Sequence, residues 1–303
     1  MPSSADPLPG PGLAAFVAAV QTGTVHGAAE ALDLTQSAAT KRIQTLERRV
    51  GVALFERHAG GLRLTEAGLV LYPEACQALA ALRHAADAVA THQAGTGRRL
   101  PIAASQTIGE VLLPGWLMRF RADDATIRPL VDVRNSPAVL DALRDHRADI
   151  GFVEGLDPLD GFEHRVLLHD EILVVITPDH PWARRRSVRP QELRTQAYIA
   201  REVGSGVRAV ATAGLEQAGV ALVPQLEMAS SLGAKHALDR ESFALLSGLV
   251  VSEEVAAGTL KALPISGVEL RRDLRVVRLA DAPRTAAAAA FWRWLGSAKR
   301  RGD

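Results

Sequence analysis

Residues 23–43 read GTVHGAAEALDLTQSAATKRI, and this stretch decides how the chain begins. Ala28, Ala29 and Leu32 form the apolar stripe of a short helix. Asp33-Leu34-Thr35 makes a tight turn, and beyond it Ala38, Ala39, Ile43, Leu46 and Val50 recur at the spacing of an inward helical face. Thr35 is placed to cap that helix, because its hydroxyl can accept from the free N–H groups of the first turn. Upstream, Leu13, Phe16, Val17 and Val20 mark a further helix that Gly23 stops. A short helix, a tight turn and a longer helix is the arrangement that lays a recognition helix in the major groove of DNA.

The outward face of the third helix has the matching chemistry. Gln36, Ser37, Thr40, Lys41 and Gln44 lie toward its N-terminal half. Gln and Lys carry the donors that read purine edges, and Ser and Thr bond bases or phosphates. Between residues 41 and 63, Lys41, Arg42, Arg48, Arg49, Arg57 and Arg63 oppose only Glu47 and Glu56, although the whole chain has a net charge of +1. A local excess of cations is the footprint of phosphate binding. Phe55, Leu62 and Leu64 flank Gly60-Gly61 as a small hairpin wing. On spacing alone, an ordinary helical subdomain with a solvated basic face fits as well.

The rest of the chain is of another kind. At 303 residues it exceeds one ordinary core. Its 48% hydrophobic and 23% charged content is that of a soluble globular protein. No apolar run is long enough to span a bilayer, which leads us to expect a cytoplasmic protein with no membrane partner. The single cysteine, Cys76, excludes a disulfide framework and reads as a small packed hydrophobe. The nine histidines are scattered singly, so no metal site is expected, and no cofactor. Residues 65–92 read as one long helix in which Leu69, Tyr72, Cys76, Leu79, Arg83, Ala86 and Ala90 form a seam for a partner helix. Residues 92–99 read as a linker.

From Leu100 short apolar runs alternate with helical stretches, the pattern of an α/β protein. Strands are predicted at 100–104, 130–133, 150–153, 172–176, 198–200, 243–246 and 274–277. Helices are predicted at 108–121, 139–146, 207–217, 232–238 and 284–299. Three strand-to-helix junctions carry hydroxyls and glycines: Ser105-Gln106-Thr107, Gly204-Ser205-Gly206 and Ser230-Ser231. Free N–H groups at helix starts suit a small carboxylate or other oxyanion. The rival is Gly204-x-Gly206-x-x-Ala209, a variant dinucleotide fingerprint with Glu227 as the ribose acid, which would make this half an NAD-dependent oxidoreductase. A solute-binding protein is the other alternative, but it would not need residues 13–64.

The run 23–43, together with Leu46-Glu47, Gly51-Val52-Ala53-Leu54-Phe55-Glu56-Arg57 and Leu64-Thr65-Glu66-Ala67-Gly68, closely resembles the LysR-type transcriptional regulators. The resemblance implies a winged helix-turn-helix over 8–65, a dimerisation helix over 66–92 and an effector domain over 93–303. That last domain would be two-lobed and periplasmic-binding-protein-like. Lobe one would be 100–163 with 268–303, and lobe two 164–267, joined by two crossover strands. It implies a regulator, not an enzyme, that binds an imperfect palindrome as a homodimer or dimer of dimers, with RNA polymerase as a possible partner. Gln36, Ser37, Thr40, Lys41, Arg42 and Gln44 would meet the DNA, with Arg57 and Arg63 on the wing. Ser105, Gln106, Thr107, Gly204, Ser205, Gly206 and Ser231 would hold the effector. The sequence departs from the family at His26-Gly27, at the cation-poor wing tip 58–61 and at Asp239-Arg240-Glu241.

Overall fold

The computed structural model describes residues 8, 10–58, 61–94, 98–282 and 284–298. The chain divides into two compact units, residues 1–95 with 144–146, and residues 96–143 with 147–303.

The first unit opens with α1 (Gly10–Thr22), α2 (Val25–Ala31) and α3 (Gln36–Val50). Thr35 caps α3, its hydroxyl accepting from Ala38 N at 3.2 Å, and Gly51 ends the helix in the left-handed region at φ 78°. The turn between α2 and α3 places Asp33 at φ 53°, a conformation that short polar side chains tolerate. β1 (Phe55–His58) and β2 (Gly61–Leu64) pair antiparallel as the wing, and Ala59 and Gly60 at its tip lie outside the described residues. The helix α4 (Glu66–Ala94) follows. Gly68 is required there, since a Cβ would stand 2.3 Å from the Leu54 carbonyl oxygen. His26-Gly27 has a local reason too: Gly27 N donates to Thr24 Oγ1, and a Cβ would fall 2.8 Å from Cβ of Thr22.

The seam predicted on α4 needs correction. Tyr72, Cys76 and Leu79 pack into the unit's own core with Leu13, Phe16 and Leu46, where α4 helps to cover an apolar face of α1. Of the predicted seam, Leu69, Arg83 and Ala86 are exposed, and further along the helix Leu82, at 58%, and Val89, at 57%, stand exposed on a stripe with Ala78 and Ala85. Ala90 belongs to the positions whose side chains lie outside the description.

In the second unit β3 is Arg98–Ser105, so of the predicted linker 92–99 the ends are helix and strand, and 95–97 lie outside the described residues. A π-helical turn (Ile108–Leu112) leads into α5 (Leu113–Asp123), then β4 (Ile127–Arg134), α6 (Ser136–Arg144), β5 (Ile150–Glu154) and the long β6 (Phe162–Ile176). A 3-10 turn (Pro190–Thr195) precedes β7 (Ala197–Arg201), α7 (Gly206–Gln217), β8 (Leu226–Met228), α8 (Ser231–His236) and β9 (Ser242–Ser247). The chain closes with α9 (Ser252–Ala257), β10 (Lys261–Leu263), β11 (Arg271–Leu279) and α10 (Ala286–Ala298).

The strand order is β4-β3-β5-β11-β6-β9-β7-β8, with β10 on β6. β3 lies parallel to β4 and β5, and β7 parallel to β8 and β9. β6 and β11 run antiparallel from Phe162 opposite Leu279 to Glu171 opposite Arg271, after which β6 continues against β9. β6 therefore belongs to two lobes, and β11 enters the first directly from Leu270, which lies in the core of the second. One lobe has a core of Ile102, Phe152, Leu274 and Phe291, the other of Ile172, Trp182, Tyr198 and Phe243. The sequence showed only the apolar end of β6. Its first ten residues carry Glu163, His164, Arg165, His169, Asp170 and Glu171, polar side chains that hide a strand from a hydrophobicity test.

Candidate functional site

On the first unit, Gln36, Ser37, Thr40, Lys41, Gln44 and Arg48 line one shallow open depression on the outer side of α3. Gln36, Ser37, Lys41 and Gln44 are exposed, whereas Arg42 is half-buried on the flank of that face. Part of the face is already bonded. Thr40 Oγ1 donates back to the Gln36 carbonyl at 2.8 Å, which leaves its hydroxyl oxygen to accept, and Arg48 Nη2 donates to Thr45 Oγ1 at 2.8 Å. Arg63 is exposed on β2, and the side chain of Arg57 lies outside the described residues. Sequence reasoning missed the role of Glu47. Its Oε1 accepts from Leu54 N at 2.8 Å and Phe55 N at 3.4 Å, tying the recognition helix to the first wing strand. An acidic residue amid cations gives no hint of this, because its partners are backbone groups seven and eight residues on.

In the second unit the carboxyl ends of parallel strands from both lobes, Ser105 on β3 and Glu154 on β5 in one and Arg201 on β7 in the other, stand where the lobes meet. Crevices at the carboxyl ends of parallel strands are the usual ligand sites of α/β sheets. The lobes approach at backbone level: a Cβ on Gly206 would fall 1.8 Å from the Glu154 carbonyl oxygen, and one on Gly204, at φ 90°, would fall 2.8 Å from Asn135 Nδ2. Glycine at both positions therefore serves lobe contact. This displaces the dinucleotide reading. β7, α7 and β8 do form a βαβ unit, with β7 an interior strand, but the start of α7 is covered by the Glu154 carbonyl. Glu227, the supposed ribose acid, pairs with Arg208 at 2.5 Å, and that contact holds its carboxyl below the usual range.

The predicted residues are brought together by one the sequence reading overlooked. Arg201, its side chain 2% exposed, donates from Nη2 to Gln106 Oε1 at 2.6 Å and from Nη1 to Ser231 Oγ at 2.7 Å. Gln106 Nε2 in turn donates to the Ala229 carbonyl at 2.8 Å, so both halves of its amide reach from lobe one into lobe two. Ser205 caps α7 without a side-chain capping bond and is buried, as is Ser105. Thr107 belongs to a second cluster: its Oγ1 donates to Glu154 Oε1 at 3.1 Å and accepts from Arg272 Nη2 at 3.0 Å. Arg272 Nε donates to Asp170 Oδ2 at 2.8 Å, and Ser247 Oγ donates to Asp170 Oδ1 at 2.8 Å. Burial pushes the Glu154 carboxyl above the usual range, against the pull of Arg272. The departure at 239–241 is a local turn, in which Asp239 accepts from Glu241 N at 2.9 Å and its own N–H donates to Ser242 Oγ at 2.9 Å.

These features match known proteins over nearly the whole chain. Residues 12–69 match the family model of the bacterial regulatory helix-turn-helix protein, lysR family, and residues 93–300 match the LysR substrate binding domain. An HTH-type transcriptional regulator of Mycobacterium tuberculosis H37Rv is 34% identical over 277 residues, covering 86% of this chain and 88% of its own length. The fold is similar to CbnR complexed with its target DNA, at a TM-score of 0.63 and 16% identity over 96% of this chain and all of that one. It is also similar to the Synechocystis PCC6803 CcmR regulatory domain in complex with 2-PG, at a TM-score of 0.62 and 23% identity over 67% of this chain and 97% of that one. An amphipathic recognition helix with a tethered wing, followed by two α/β lobes joined through β6 and the chain entering β11, is thus accounted for: the chain belongs to the LysR family of helix-turn-helix transcriptional regulators.

Proposed function

We propose that this regulator is a cytoplasmic, non-catalytic switch that reads an imperfect palindrome through paired copies of α3 and the wing. A small carboxylate or other oxyanion in the cleft between the lobes sets how those copies are spaced. The observation that carries the second half is the position of Arg201. It is a buried guanidinium bonded at once to Gln106 of one lobe and Ser231 of the other, the geometry of a cation that a ligand anion would share. A ligand shifts lobe arrangement only as far as it binds the two arrangements unequally, and these interlobe bonds give the arrangements different contacts. Ser105, Thr107 and Gly204-Ser205-Gly206 complete the proposed site. The 2-PG bound by the CcmR regulatory domain is in keeping with this class of effector.

Pairing of chains is assigned to the exposed stripe Ala78, Leu82, Ala85 and Val89 of α4, as a homodimer or a dimer of dimers, with RNA polymerase the further partner in activation. DNA contacts are assigned to Gln36, Ser37, Thr40, Lys41, Arg42, Gln44, Arg57 and Arg63. Two substitutions test them. Gln36→Ala should relax base preference by about 1–3 kcal/mol at one operator position. Arg63→Ala should weaken binding to all sequences and lower the salt slope by about one. Operator affinity unchanged by both, measured by fluorescence anisotropy across a salt series, would remove α3 and the wing as the interface. An unchanged footprint across a screen of small carboxylates and oxyanions would remove the switch.

A further inference from the structure

Three polar atoms at the meeting of the lobes are buried and have no hydrogen-bond partner: Ser105 Oγ, Glu154 Oε2 and Arg272 Nη1. Their residues are 2%, 4% and 4% exposed. An unsatisfied buried polar atom is costly, so atoms of this kind mark places where a bound molecule completes the set. The inventory states what that molecule must offer. Arg272 Nη1 has only the Glu154 Oε1 ion-pair contact at 3.3 Å, without hydrogen-bond geometry, and so takes a further acceptor. Ser105 Oγ takes either role. Glu154 Oε2 belongs to a carboxyl whose other oxygen already faces Thr107 and, at 3.3 Å, Arg272. A carboxylate oxygen can only accept, and so a purely accepting ligand would meet it lone pair to lone pair.

The charges point the same way. Neither buried arginine is an unclaimed cation: Arg272 is paired with Asp170 at 2.7 Å and Arg201 with Glu202 at 2.8 Å. Thr107 after β3 and Arg272 on β11 contact the Glu154 carboxyl, and the charges of Asp170 on β6 and Arg201 on β7 act on it from further off. A fully ionised oxyanion set beside Glu154 would add charge where three carboxylates, Glu154, Asp170 and Glu202, already outnumber the two guanidinium groups. One proton on the line between Oε2 and the ligand removes the conflict.

We propose that Glu154 is a specificity-determining residue of this effector site: its Oε2 and the bound effector share one proton, so the site selects a small oxyanion that carries a hydrogen-bond donor over one that carries none. The inference rests on the oxyanion reading of the cleft and narrows it to hydrogen-bearing oxyanions and hydroxy acids. Burial, which raises the Glu154 carboxyl, supplies the alternative source of that proton when the ligand brings none.

Hydrogen phosphate and sulfate make the test, because in mildly alkaline buffer both are tetrahedral dianions and differ by one proton. Titration calorimetry on the full-length protein should find hydrogen phosphate bound at least about tenfold more tightly than sulfate, the worth of one charge-assisted hydrogen bond. Glu154→Gln, which offers an amide donor in place of a proton-demanding oxygen, should abolish or reverse that ratio. Glu154→Asp should keep its direction. For the native protein, acidifying the buffer should raise sulfate affinity as Glu154 takes up the proton, a measurement that stands even if a variant fails to fold. Equal affinity for the two dianions, a ratio untouched by Glu154→Gln, or a sulfate affinity flat with pH overturns the shared proton while leaving an oxyanion site in place. Binding of neither ion overturns the oxyanion site itself, and the proposal with it.

Discussion

The outer face of α3 and the floor of the cleft are both polar, and they are built on opposite principles. On α3 the proposed functional side chains stand in solvent on one face of a single helix, so that their cost of desolvation would fall only when DNA arrives. In the cleft they are withdrawn from water and bonded to one another across long stretches of chain, as Gln106 and Arg201 are across 95 residues. A surface that meets phosphates works by leaving cations accessible, whereas a pocket that must tell small molecules apart works by fixing donors and acceptors in a dry setting. The first should tolerate substitution in its fold and lose binding. The second should lose fold and binding together.

The largest expected effect lies in the cleft. Arg272→Met leaves Asp170 and Glu154 buried without their cation and should cost about 3–5 kcal/mol of stability. Trp116, Trp182, Trp292 and Trp294 all fall within residues 96–303, so denaturant unfolding followed by tryptophan fluorescence reads this unit alone. A midpoint equal to the native one would show that the buried network is not what holds the lobes. Next comes Glu47→Ala, which strips the acceptor from the Leu54 amide and should cost about 1–3 kcal/mol. Hydrogen exchange at Leu54 and Phe55 should quicken, and Glu47→Gln, which keeps an acceptor, should restore most of the protection. If exchange there is unaltered by Glu47→Ala, wing and helix are joined some other way. The smallest is Thr35→Ala, worth about 1 kcal/mol as a lost helix cap. It should lower the thermal midpoint of the first unit seen by circular dichroism without touching the tryptophan signal, and a shift in the latter would mean that the two units do not unfold separately.

The same contrast explains what could be read in advance. The recognition face was legible because α3 obeys one period: Ala39, Ile43 and Leu46 are buried and the residues between them are not. The cleft was legible only where a hydroxyl or glycine opened a helix. Arg201 escaped notice because a charged residue closing an apolar strand reads as its solvent-facing end. Glu154 closes a strand buried throughout, yet nothing local says that its carboxyl stays inside. Arg272 and Asp170 lie opposite each other on β11 and β6, a pairing set by register between segments about a hundred residues apart. The middle of the seam on α4, Tyr72, Cys76 and Leu79, was misplaced for a related reason. A heptad pattern says that a helix has an apolar face, and only the neighbouring α1 decides which part of it is spent at home.

Glu47 has a consequence for how DNA is measured. Two wing amides held on one carboxylate make the recognition helix and the start of the hairpin a single rigid gauge, whose separation is set before any duplex is met. Such a gauge cannot stretch to suit its operator, so the burden of adjustment falls on the DNA. Sites whose grooves bend easily to the gauge's spacing should then be favoured even at base pairs that no side chain touches.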